Sequence, residues 1–552
     1  MRIKELMSGL ALFVGLNVVS ISASAQSKDF EMAKNLDIFV SAFMELQNMY
    51  VDSLRSEDLA RYAIEGMTDH LDPYTEFVPS TEQDDFDFIK TGRYAGIGSY
   101  IQKDGDYTRI SLPYKGFPAD LAGFVSGDRL LEIDGKSLKG MSVDKVSSLL
   151  KGEAGTGLKL KVHKWLTGDT VSVELTRQNI RMPSVKYSGI LEGGVGYILL
   201  TTFTTGSFNE FRSALVEMRN TGNLKSLIID LRGNGGGSLP EAVKIVNLFV
   251  PKGIAVVKAR GRIRGYDMSY TTTEDPLEPD LPLAVLVNGA SASASEIVSG
   301  TIQDLDRGLV VGTLTFGKGL VQAVRPLVYD AQLKITAAKY YIPSGRCVQA
   351  HNFSHRNSDG SVSFIPDSLK KEFKTKNGRS VFDGGGITPD LTCEAEDYSP
   401  VAVSLLRRNL IFDYALQYFK KTLKISSPEV FDLNDREYQA FVDFLSTKDY
   451  DYESLSERML KQFVSIVKQE KYDEEVKEEL ERLSEKLKHD KSKDLRLAKD
   501  ELKALLREEI AERYFYESGR IRAMLRRDNQ LTTAQKLLSD SERYSGLLSP
   551  KK

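Results

Sequence analysis

Cysteine, histidine and an excess of charge of one sign are all scarce in this chain of 552 residues. The two cysteines, Cys347 and Cys393, can form one disulfide in an oxidising compartment or remain two unpaired, buried thiols. The five histidines lie outside the glycine- and serine-rich motifs, which argues against a serine–histidine–aspartate site. The formal net charge is only −3, and both signs are plentiful, so the chain is not expected to bind nucleic acid.

Long apolar runs are also scarce, apart from one at the N-terminus. Residues 10–19 are mainly apolar, follow Arg2 and Lys4, and precede the small residues Ser22-Ala23-Ser24-Ala25. This order predicts a signal peptide, residues 1–25. The run is too short to span a bilayer comfortably, and no cysteine marks a lipid-anchoring site. We therefore expect export to the periplasm, with the outer surface as the alternative.

The length of the chain indicates several domains, and an apolar content of 41% is enough for several hydrophobic cores. Helical spacing of apolar residues gives way to short strands with glycine turns, then to alternating strands and helices, and finally to charged helices. The alternating part indicates an α/β core. The predicted divisions are the signal peptide (1–25), an N-terminal helical region (26–90), a β-rich domain (91–178), the α/β core (179–398) and a charged C-terminal helical region (399–552).

A serine and a lysine lie on two turns of the predicted core. The apolar run Leu283–Val287 predicts a buried strand, and Ser293 follows where a helix begins, as in a nucleophile elbow. Lys318 stands between two glycines after the next apolar strand. Lysine has a pKa of about 10.4, so it takes a proton from serine only if burial lowers that value. Our hypothesis is that Ser293 is the nucleophile and Lys318 the general base.

Such chemistry also needs two hydrogen-bond donors for the developing oxyanion. The backbone N–H of Ala294, at the start of the helix, is one candidate. The Gly235-Gly236-Gly237 run, between a strand and a helix, can bring another backbone N–H close without obstruction by a side chain.

Purely structural interpretations of the serine run stay open. Ser293 and Glu296 also fit an S-x-x-E capping box. Because Ser291, Ser293 and Ser295 alternate, their spacing does not select a nucleophile.

Two motifs for bound cofactors are weak. Gly233-Asn234-Gly235 begins a dinucleotide fingerprint, but Ser238 stands where the third glycine is required. His351 and His355 are four residues apart in a polar insertion without accompanying carboxylates, so no metal site is expected.

The β-rich domain resembles a PDZ domain in the order of its elements over residues 94–175. The phrase GDRLLEIDGK at 127–136 is the most specific part of the match. Such domains hold a peptide's C-terminal carboxylate on backbone N–H groups while the peptide adds a strand to the sheet. The loop of Gly96, Ile97 and Gly98 is the candidate carboxylate site, and a glycine turn without a ligand is the alternative.

Five motifs follow in order along the core: LRGNGGG, NGASASASEIVSG, VVGTLTFGKGLVQ, AAKYYIPSGRC and GGGITPD. Together with the PDZ-like domain they resemble the C-terminal processing peptidases, a family of serine proteases. The resemblance implies that Ser293 is the nucleophile and Lys318 the base. It further implies that Gln322 orients the lysine and that the N–H groups of Gly237 and Ala294 form the oxyanion hole.

The resemblance implies an exported serine endopeptidase that cleaves proteins with apolar, unstructured C-terminal tails, delivered by the PDZ-like domain. Its partners would be protein or peptide substrates with a free C-terminus, and it implies no cofactor, metal or nucleic acid. The chain departs from the family at Leu320, where a small polar residue is common, and this leaves the implied roles intact.

Two other functions compete with this interpretation. One is an exported peptide-binding scaffold with an inactive protease fold, and the other is an adaptor whose C-terminal helices recruit a separate protease. The intact set of Ser293, Lys318 and Gln322 argues against the scaffold. In the C-terminal region, the spacing of Leu480, Leu483 and other apolar residues indicates either a packed helical domain or helices that bind a second copy or an adaptor.

Overall fold

The computed structural model describes residues 28–357, 360–488 and 490–550, so the predicted signal peptide lies outside the described residues. The chain divides into two compact units. The smaller one comprises the chain up to Ser80 together with Gln322–Thr336, and the larger one comprises Thr81–Val321 and Ala337–Lys552. In the part of the chain that is described, no helix is both long and apolar enough to cross a bilayer.

The smaller unit begins with two helices and a short strand: α1 (residues 28–49), α2 (Ser56–Asp69) and β1 (Glu76–Val78). Strand β1 pairs antiparallel with residues 332–334. Asp72 fixes the turn between α2 and β1, because its carboxylate accepts hydrogen bonds from the backbone N–H groups of Tyr74 and Thr75, both at 2.9 Å.

The larger unit begins with helix α3 (Gln83–Thr91) and the PDZ-like domain. The elements of this domain are β2 (Arg93–Gly96), β3 (Ser99–Asp104), β4 (Tyr107–Pro113), α4 (Pro118–Leu121), β5 (Arg129–Ile133), β6 (Lys136–Ser137), α5 (Val143–Leu150), β7 (Gly157–His163), β8 (Thr170–Thr176) and β9 (Gln178–Arg181). Its main sheet has the order β3-β4-β5-β7-β8, and β2 pairs with β9. In β7, Leu158, Leu160 and Val162 alternate with more exposed residues and fill the core.

The α/β core follows, with strands and helices in alternation. Parts of two of its strands, within residues 322–336, belong to the smaller unit. Its elements are β10 (Val185–Leu191), β11 (Val195–Leu200), α6 (Ser207–Asn220), β12 (Ser226–Asp230), α7 (Leu239–Asn247), β13 (Ala255–Gly261), β14 (Met268–Thr271), β15 (Leu283–Val287), α8 (Ala294–Asp304), β16 (Leu309–Gly312), β17 (Leu320–Pro326), β18 (Gln332–Tyr341), β19 (His351–Arg356), β20 (Val362–Phe364), β21 (Glu372–Lys374), β22 (Ser380–Phe382) and β23 (Leu391–Thr392).

The central sheet has the order β10-β11-β12-β15-β16-β23, and only the β10–β11 pair among these described strands is antiparallel. Strands β12, β15 and β16 are buried along their whole length. Burial on both faces explains why they are almost continuously apolar. In the polar segment of residues 351–382, β19 pairs with β20 and β21 with β22.

Nine helices make up the described C-terminal region: α9 (Pro400–Arg407), α10 (Leu410–Lys421), α11 (Asp435–Leu445), α12 (Leu455–Gln469), α13 (Lys477–Leu487), α14 (Lys491–Leu497), α15 (Lys499–Met524), α16 (Asn529–Ser539) and α17 (Ser541–Leu547). Helices α9, α10, α11, α14 and α15 share a buried apolar core. Helix α13, which carries the leucine spacing, has no buried residue. Because five of its helices share this core, most of the region is a packed helical domain.

The last two helices cover one face of the central sheet. Leu531, Ala534 and Leu537 of α16 belong to the same buried cluster as residues of β12, β15 and β16. In α17, the hydroxyl of Tyr544 hydrogen-bonds to both the backbone N–H and the carbonyl of Leu283, each at 3.0 Å. Helices α6, α7 and α8 cover the opposite face. The chain thus completes its α/β core with helices from its far end.

The PDZ-like domain contacts the C-terminal helices through a stacked aromatic ring. Two guanidinium groups lie over the ring of Phe412 on α10, those of Arg109 on β4 and Arg513 on α15, at 4.3 and 4.4 Å from the ring centre. Arg109 also pairs with Asp413 at 2.8 Å, and its side chain is almost fully buried. Within the larger unit, the helical domain therefore holds the PDZ-like domain by specific contacts.

Candidate active site

Three loops meet at one edge of the central sheet. Strands β12, β15 and β16 are parallel neighbours, so the segments that follow them leave from the same edge. These segments are the glycine loop (residues 231–237), the elbow (288–293) and the lysine loop (313–319). Chemistry-bearing residues from three separate parts of the sequence are thereby brought together.

The elbow distinguishes the three alternating serines. Ser291 and Ser295 are fully buried, and their hydroxyls donate to the carbonyls of Leu231 and Asn234, both at 2.8 Å. Ser293 is only partly buried and has φ 56° and ψ −113°, a backbone conformation that costs a non-glycine residue energy. The outer two serines therefore tie the elbow to the glycine loop, and Ser293 occupies the strained position at the start of α8.

The glycine loop touches the elbow at Gly236. A Cβ atom placed on Gly236 would lie 2.7 Å from the carbonyl oxygen of Ala292, 2.8 Å from Cβ of Ser293 and 2.9 Å from the backbone nitrogen of Ala294. Only glycine permits this approach.

Gly237 follows and forms an isolated parallel β-bridge with Phe203. The Phe203 N–H donates to the Gly236 carbonyl at 3.0 Å, and the Ser238 N–H donates to the Phe203 carbonyl at 2.7 Å. These two bonds flank Gly237 without using its own N–H. Ala294 is the first residue of α8, where helical N–H groups have no partner within the helix. Of the two residues that carry the predicted oxyanion donors, Ala294 follows Ser293 in the chain, and Gly237 follows Gly236, which contacts Ser293.

Glu296 joins the elbow to the lysine loop. Its buried carboxylate accepts from the N–H groups of Ser293 (2.9 Å) and Lys318 (2.8 Å) through one oxygen. The other oxygen accepts from the Thr315 hydroxyl and the Gly317 N–H, both at 2.7 Å. Burial raises the pKa of Glu296, and these four hydrogen bonds act in the opposite direction. The sequence suggests only its capping contact with Ser293.

Tyr340 makes a second bridge between the same two residues. Its hydroxyl lies 2.7 Å from the carbonyl of Lys318 and 3.2 Å from that of Ser293. Sequence reasoning assigned no role to this residue, although it stands within the motif AAKYYIPSGRC. The backbones of Ser293 and Lys318 are therefore linked twice. Glu296 joins their N–H groups, and Tyr340 joins their carbonyls.

The glycines around Lys318 permit close packing, as their positions in the sequence suggest. A Cβ on Gly317 would lie 2.4 Å from Cβ of Ala350, and one on Gly319 would lie 2.7 Å from the backbone nitrogen of Gln349. The Gln349 side chain also accepts from the Gly319 N–H at 2.8 Å. Both ends of the lysine position are thus fixed against a neighbouring segment.

Gln322 belongs to the smaller unit. Its side-chain amide donates to the hydroxyl of Thr336 at 3.3 Å, and that hydroxyl donates to the carboxylate of Asp72 at 3.1 Å. The Thr336 N–H donates to the hydroxyl of Thr75 at 3.2 Å. A polar network within the smaller unit, which the sequence did not reveal, therefore fixes the Gln322 side chain.

The predicted carboxylate loop of the PDZ-like domain lies between β2 and β3. The carbonyls of Ile97 and Gly98 accept from the N–H groups of Ala119 (2.8 Å) and Tyr114 (2.9 Å). Gly98 has φ +74°, and a Cβ there would lie 2.4 Å from Cβ of Phe117. Gly96 is the last residue of β2 and is buried. The loop is a tight turn whose carbonyls are used inside the domain.

Both cysteines are free thiols, so the disulfide is absent from the structure. Burial raises the pKa of Cys347. The ring of His351 packs against Phe353 and Phe364, at 5.8 and 4.3 Å between ring centres. Among the described residues, no three histidine, cysteine, aspartate or glutamate side chains are grouped to hold a metal ion.

Comparison with known proteins identifies the family. The model "Peptidase family S41" matches residues 194–355, "PDZ domain" matches 109–164, and "Probable PDZ-protease, C-terminal helical domain" matches 401–538. A carboxy-terminal-processing protease from Bartonella bacilliformis is 32% identical over 345 residues, which is 62% of this chain and 79% of that protein. The chain belongs to the carboxy-terminal-processing proteases of peptidase family S41.

Two further proteins are similar to this chain. A protein of Staphylococcus aureus described as "Probable CtpA-like serine protease" is 33% identical over 341 residues, 61% of this chain and 66% of that protein. The solved structure of the photosystem II D1 C-terminal processing protease is 26% identical and covers 63% of this chain and 85% of its own, with a TM-score of 0.35. This carboxy-terminal-processing protease is thus a serine protease, and its predicted fold class and family are confirmed.

Proposed function

We propose that this protease is an exported endopeptidase in which Ser293 is the nucleophile and Lys318 its general base. The observation that carries the proposal is the double link between these residues, through the Glu296 carboxylate and the Tyr340 hydroxyl. A nucleophile and its base must be held in fixed geometry for proton transfer. Two independent bridges on the backbone of the same pair supply such geometry.

The proposed reaction is acyl transfer. Neutral Lys318 takes the proton of the Ser293 hydroxyl as Oγ attacks the peptide carbonyl, and the N–H groups of Gly237 and Ala294 stabilise the oxyanion. Protonated Lys318 then gives its proton to the leaving amine. Water, deprotonated by Lys318, hydrolyses the acyl-enzyme and restores the serine. We assign Gln322 the role of orienting Lys318, as in the family, and the proposal requires no cofactor.

The alternating serines offer a matched test. Purified protein lacking residues 1–25 would be incubated with an unfolded protein that ends in apolar residues. Ser293→Ala should abolish cleavage, because it removes the attacking oxygen. Ser291→Ala and Ser295→Ala each remove a buried hydrogen bond, so they should lower the free energy of unfolding by about 1–3 kcal/mol and still cleave. Cleavage that persists in Ser293→Ala, in material free of other proteases, would refute the assignment.

We also propose that the PDZ-like domain captures the substrate's C-terminal tail and gates its access to the site. The tight turn at Gly96–Gly98 and the contacts that hold the domain on the C-terminal helices support this proposal. Amidation of the terminal carboxylate of a peptide substrate should raise KM at least about tenfold, since it removes the charge that backbone N–H groups bind, and should leave kcat unchanged. Equal KM values for the free and amidated peptides would exclude tail capture.

The order of charged, apolar and small residues at the N-terminus supports export, and we propose the periplasm as the destination. A mature N-terminus at Gln26 in protein recovered from the periplasmic fraction would agree with it, and an intact N-terminus would not. For the partially exposed C-terminal helices α12 and α13, self-association or adaptor binding stays a proposal.

A further inference from the structure

The glycine loop is tied to the C-terminal helices through Arg232. One guanidinium nitrogen of Arg232 donates to Asp528 at 3.0 Å and to the side-chain carbonyl of Gln530 at 2.9 Å. Another donates to the second oxygen of Asp528 at 2.5 Å. Bidentate pairing of this kind fixes both the distance and the orientation of its partners. A residue almost 300 positions away in the sequence therefore holds the start of the loop.

On its other side, Arg232 is held by Asp230, the last residue of β12. The Asp230 carboxylate accepts from the Arg232 backbone N–H at 3.0 Å and from its guanidinium Nε at 3.0 Å. Tyr197 donates its hydroxyl to the same carboxylate at 2.7 Å. Burial lowers the pKa of Arg232, but Asp230 and Asp528 outweigh this effect and the net pKa is raised. Arg232 therefore remains charged between two carboxylates.

The loop between its two ends is short. It is fixed at Arg232 and, beyond Gly237, at Ser238, whose N–H donates to the Phe203 carbonyl. Only five residues separate Arg232 from Ser238. Hydrogen bonds also hold the carbonyls of Asn234 and Gly236, so a shift of Arg232 strains the short backbone segment that carries Gly237. A displacement of about 1 Å in a catalytic group can lower a rate about 100-fold.

Asp528 also sets the position of helix α16. It precedes the helix, and its carboxylate accepts from the Leu531 N–H at 2.9 Å, which caps the first turn. Leu531 is buried under the central sheet. One carboxylate therefore connects a helix packed beneath the sheet to the loop at the sheet's edge.

We propose that Asp528 is a positioning residue for the oxyanion hole, acting through Arg232 on the backbone of Gly237. The C-terminal helices then belong to the catalytic apparatus and are more than an appended domain. The inference rests on the proposed function, because it takes the Gly237 N–H as an oxyanion donor.

The neighbouring ion pair supplies a matched control. Arg527 pairs with Glu396 at 3.2 Å, one residue before Asp528, and both side chains are partly exposed. This pair joins the C-terminal helices to the end of the core, and within the described part of the chain neither residue forms a hydrogen bond or ion pair with the glycine loop. Glu396→Gln therefore removes a comparable charge from the same neighbourhood without disturbing Arg232.

The test compares Asp528→Asn with Glu396→Gln in the full mature chain. Asparagine preserves the size of the side chain and one acceptor for the helix cap, but it loses the charge and the second acceptor. We expect kcat to fall about 10- to 100-fold with KM changed by less than about threefold, and Glu396→Gln to match the wild type. Gln530→Ala, which removes one acceptor of Arg232, should show a smaller loss of kcat.

A peptide aldehyde separates positioning from general damage, because its adduct with Ser293 places an oxyanion in the hole. Its inhibition constant should weaken by the same factor as kcat/KM in Asp528→Asn. Unchanged kcat, or a loss of kcat with unchanged aldehyde affinity, would overturn the inference. If Asp528→Asn does not fold, Gln530→Ala decides by the same criteria. Cleavage by Ser293→Ala would instead refute the proposed function itself.

Discussion

Replacing Glu296 with glutamine is expected to lower kcat/KM at least about 100-fold in a chain that still folds. The two carboxylate oxygens of Glu296 together accept four hydrogen bonds, including those from the N–H groups of Ser293 and Lys318. A glutamine has one acceptor oxygen, and its NH₂ group would face two donors at about 2.7–2.9 Å. The elbow or the lysine loop must then move, and the proposed proton transfer depends on their separation.

The same substitution also changes how the stability of the folded chain depends on pH. Burial raises the pKa of Glu296, so the folded chain binds this proton more readily than the unfolded chain. The wild type should therefore gain stability relative to Glu296→Gln as the pH falls through this raised pKa, because the variant has no proton to take up. Urea unfolding of both proteins at pH 7 and pH 5 measures this difference.

An equivalent position provides the control for Glu296. Ser454 and Glu457 form the same S-x-x-E arrangement at the start of α12, where the Glu457 carboxylate accepts from the Ser454 N–H at 2.7 Å. Glu457→Gln should weaken that helix start and leave kcat/KM within about twofold of the wild type. If both glutamine variants lose activity equally, or neither does, the bridging role of Glu296 is wrong.

Elements whose sequence pattern reflects their own burial could be predicted closely. The continuous apolar run Leu283–Val287 is strand β15, with the predicted bounds, and the apolar-rich segments Val195–Leu200 and Val143–Leu150 form β11 and α5. In these segments local periodicity and tertiary burial agree. The strand-to-helix turn at Ser293 was predictable for the same reason, since a buried strand and a helix must be joined there.

Interactions between distant segments could not be predicted in this way. Glu296 has the sequence signature of a helix cap, and nothing local indicates that its carboxylate also holds Lys318. The pairing of Arg232 with Asp528 depends on how α16 packs under the sheet, and the spacing of apolar residues in the sequence does not indicate this packing. Likewise, the alternation of serines does not indicate which hydroxyls are buried, because the acceptors of Ser291 and Ser295 are carbonyls of the glycine loop.

Gly236→Ala is expected to lower kcat/KM about 1000-fold. The new Cβ would lie 2.7–2.9 Å from three atoms of the elbow, including the backbone nitrogen of Ala294. Gly236 also has φ +101°, which strains any other residue. Both proposed oxyanion donors, on Gly237 and Ala294, would be displaced, and loss of one such donor costs about 100- to 1000-fold.

The adjacent glycine makes this prediction specific. A Cβ on Gly235 would meet no heavy atom within 4 Å, so Gly235→Ala has the same composition as Gly236→Ala without the clash. Gly235→Ala should retain kcat/KM within about threefold of the wild type, because loop substitutions without a clash are usually tolerated. Similar losses in both variants would mean that the loop needs flexibility throughout. A loss of kcat/KM confined to Gly236→Ala, together with weaker binding of a peptide aldehyde by that variant, would mean that contact with the elbow sets the oxyanion geometry.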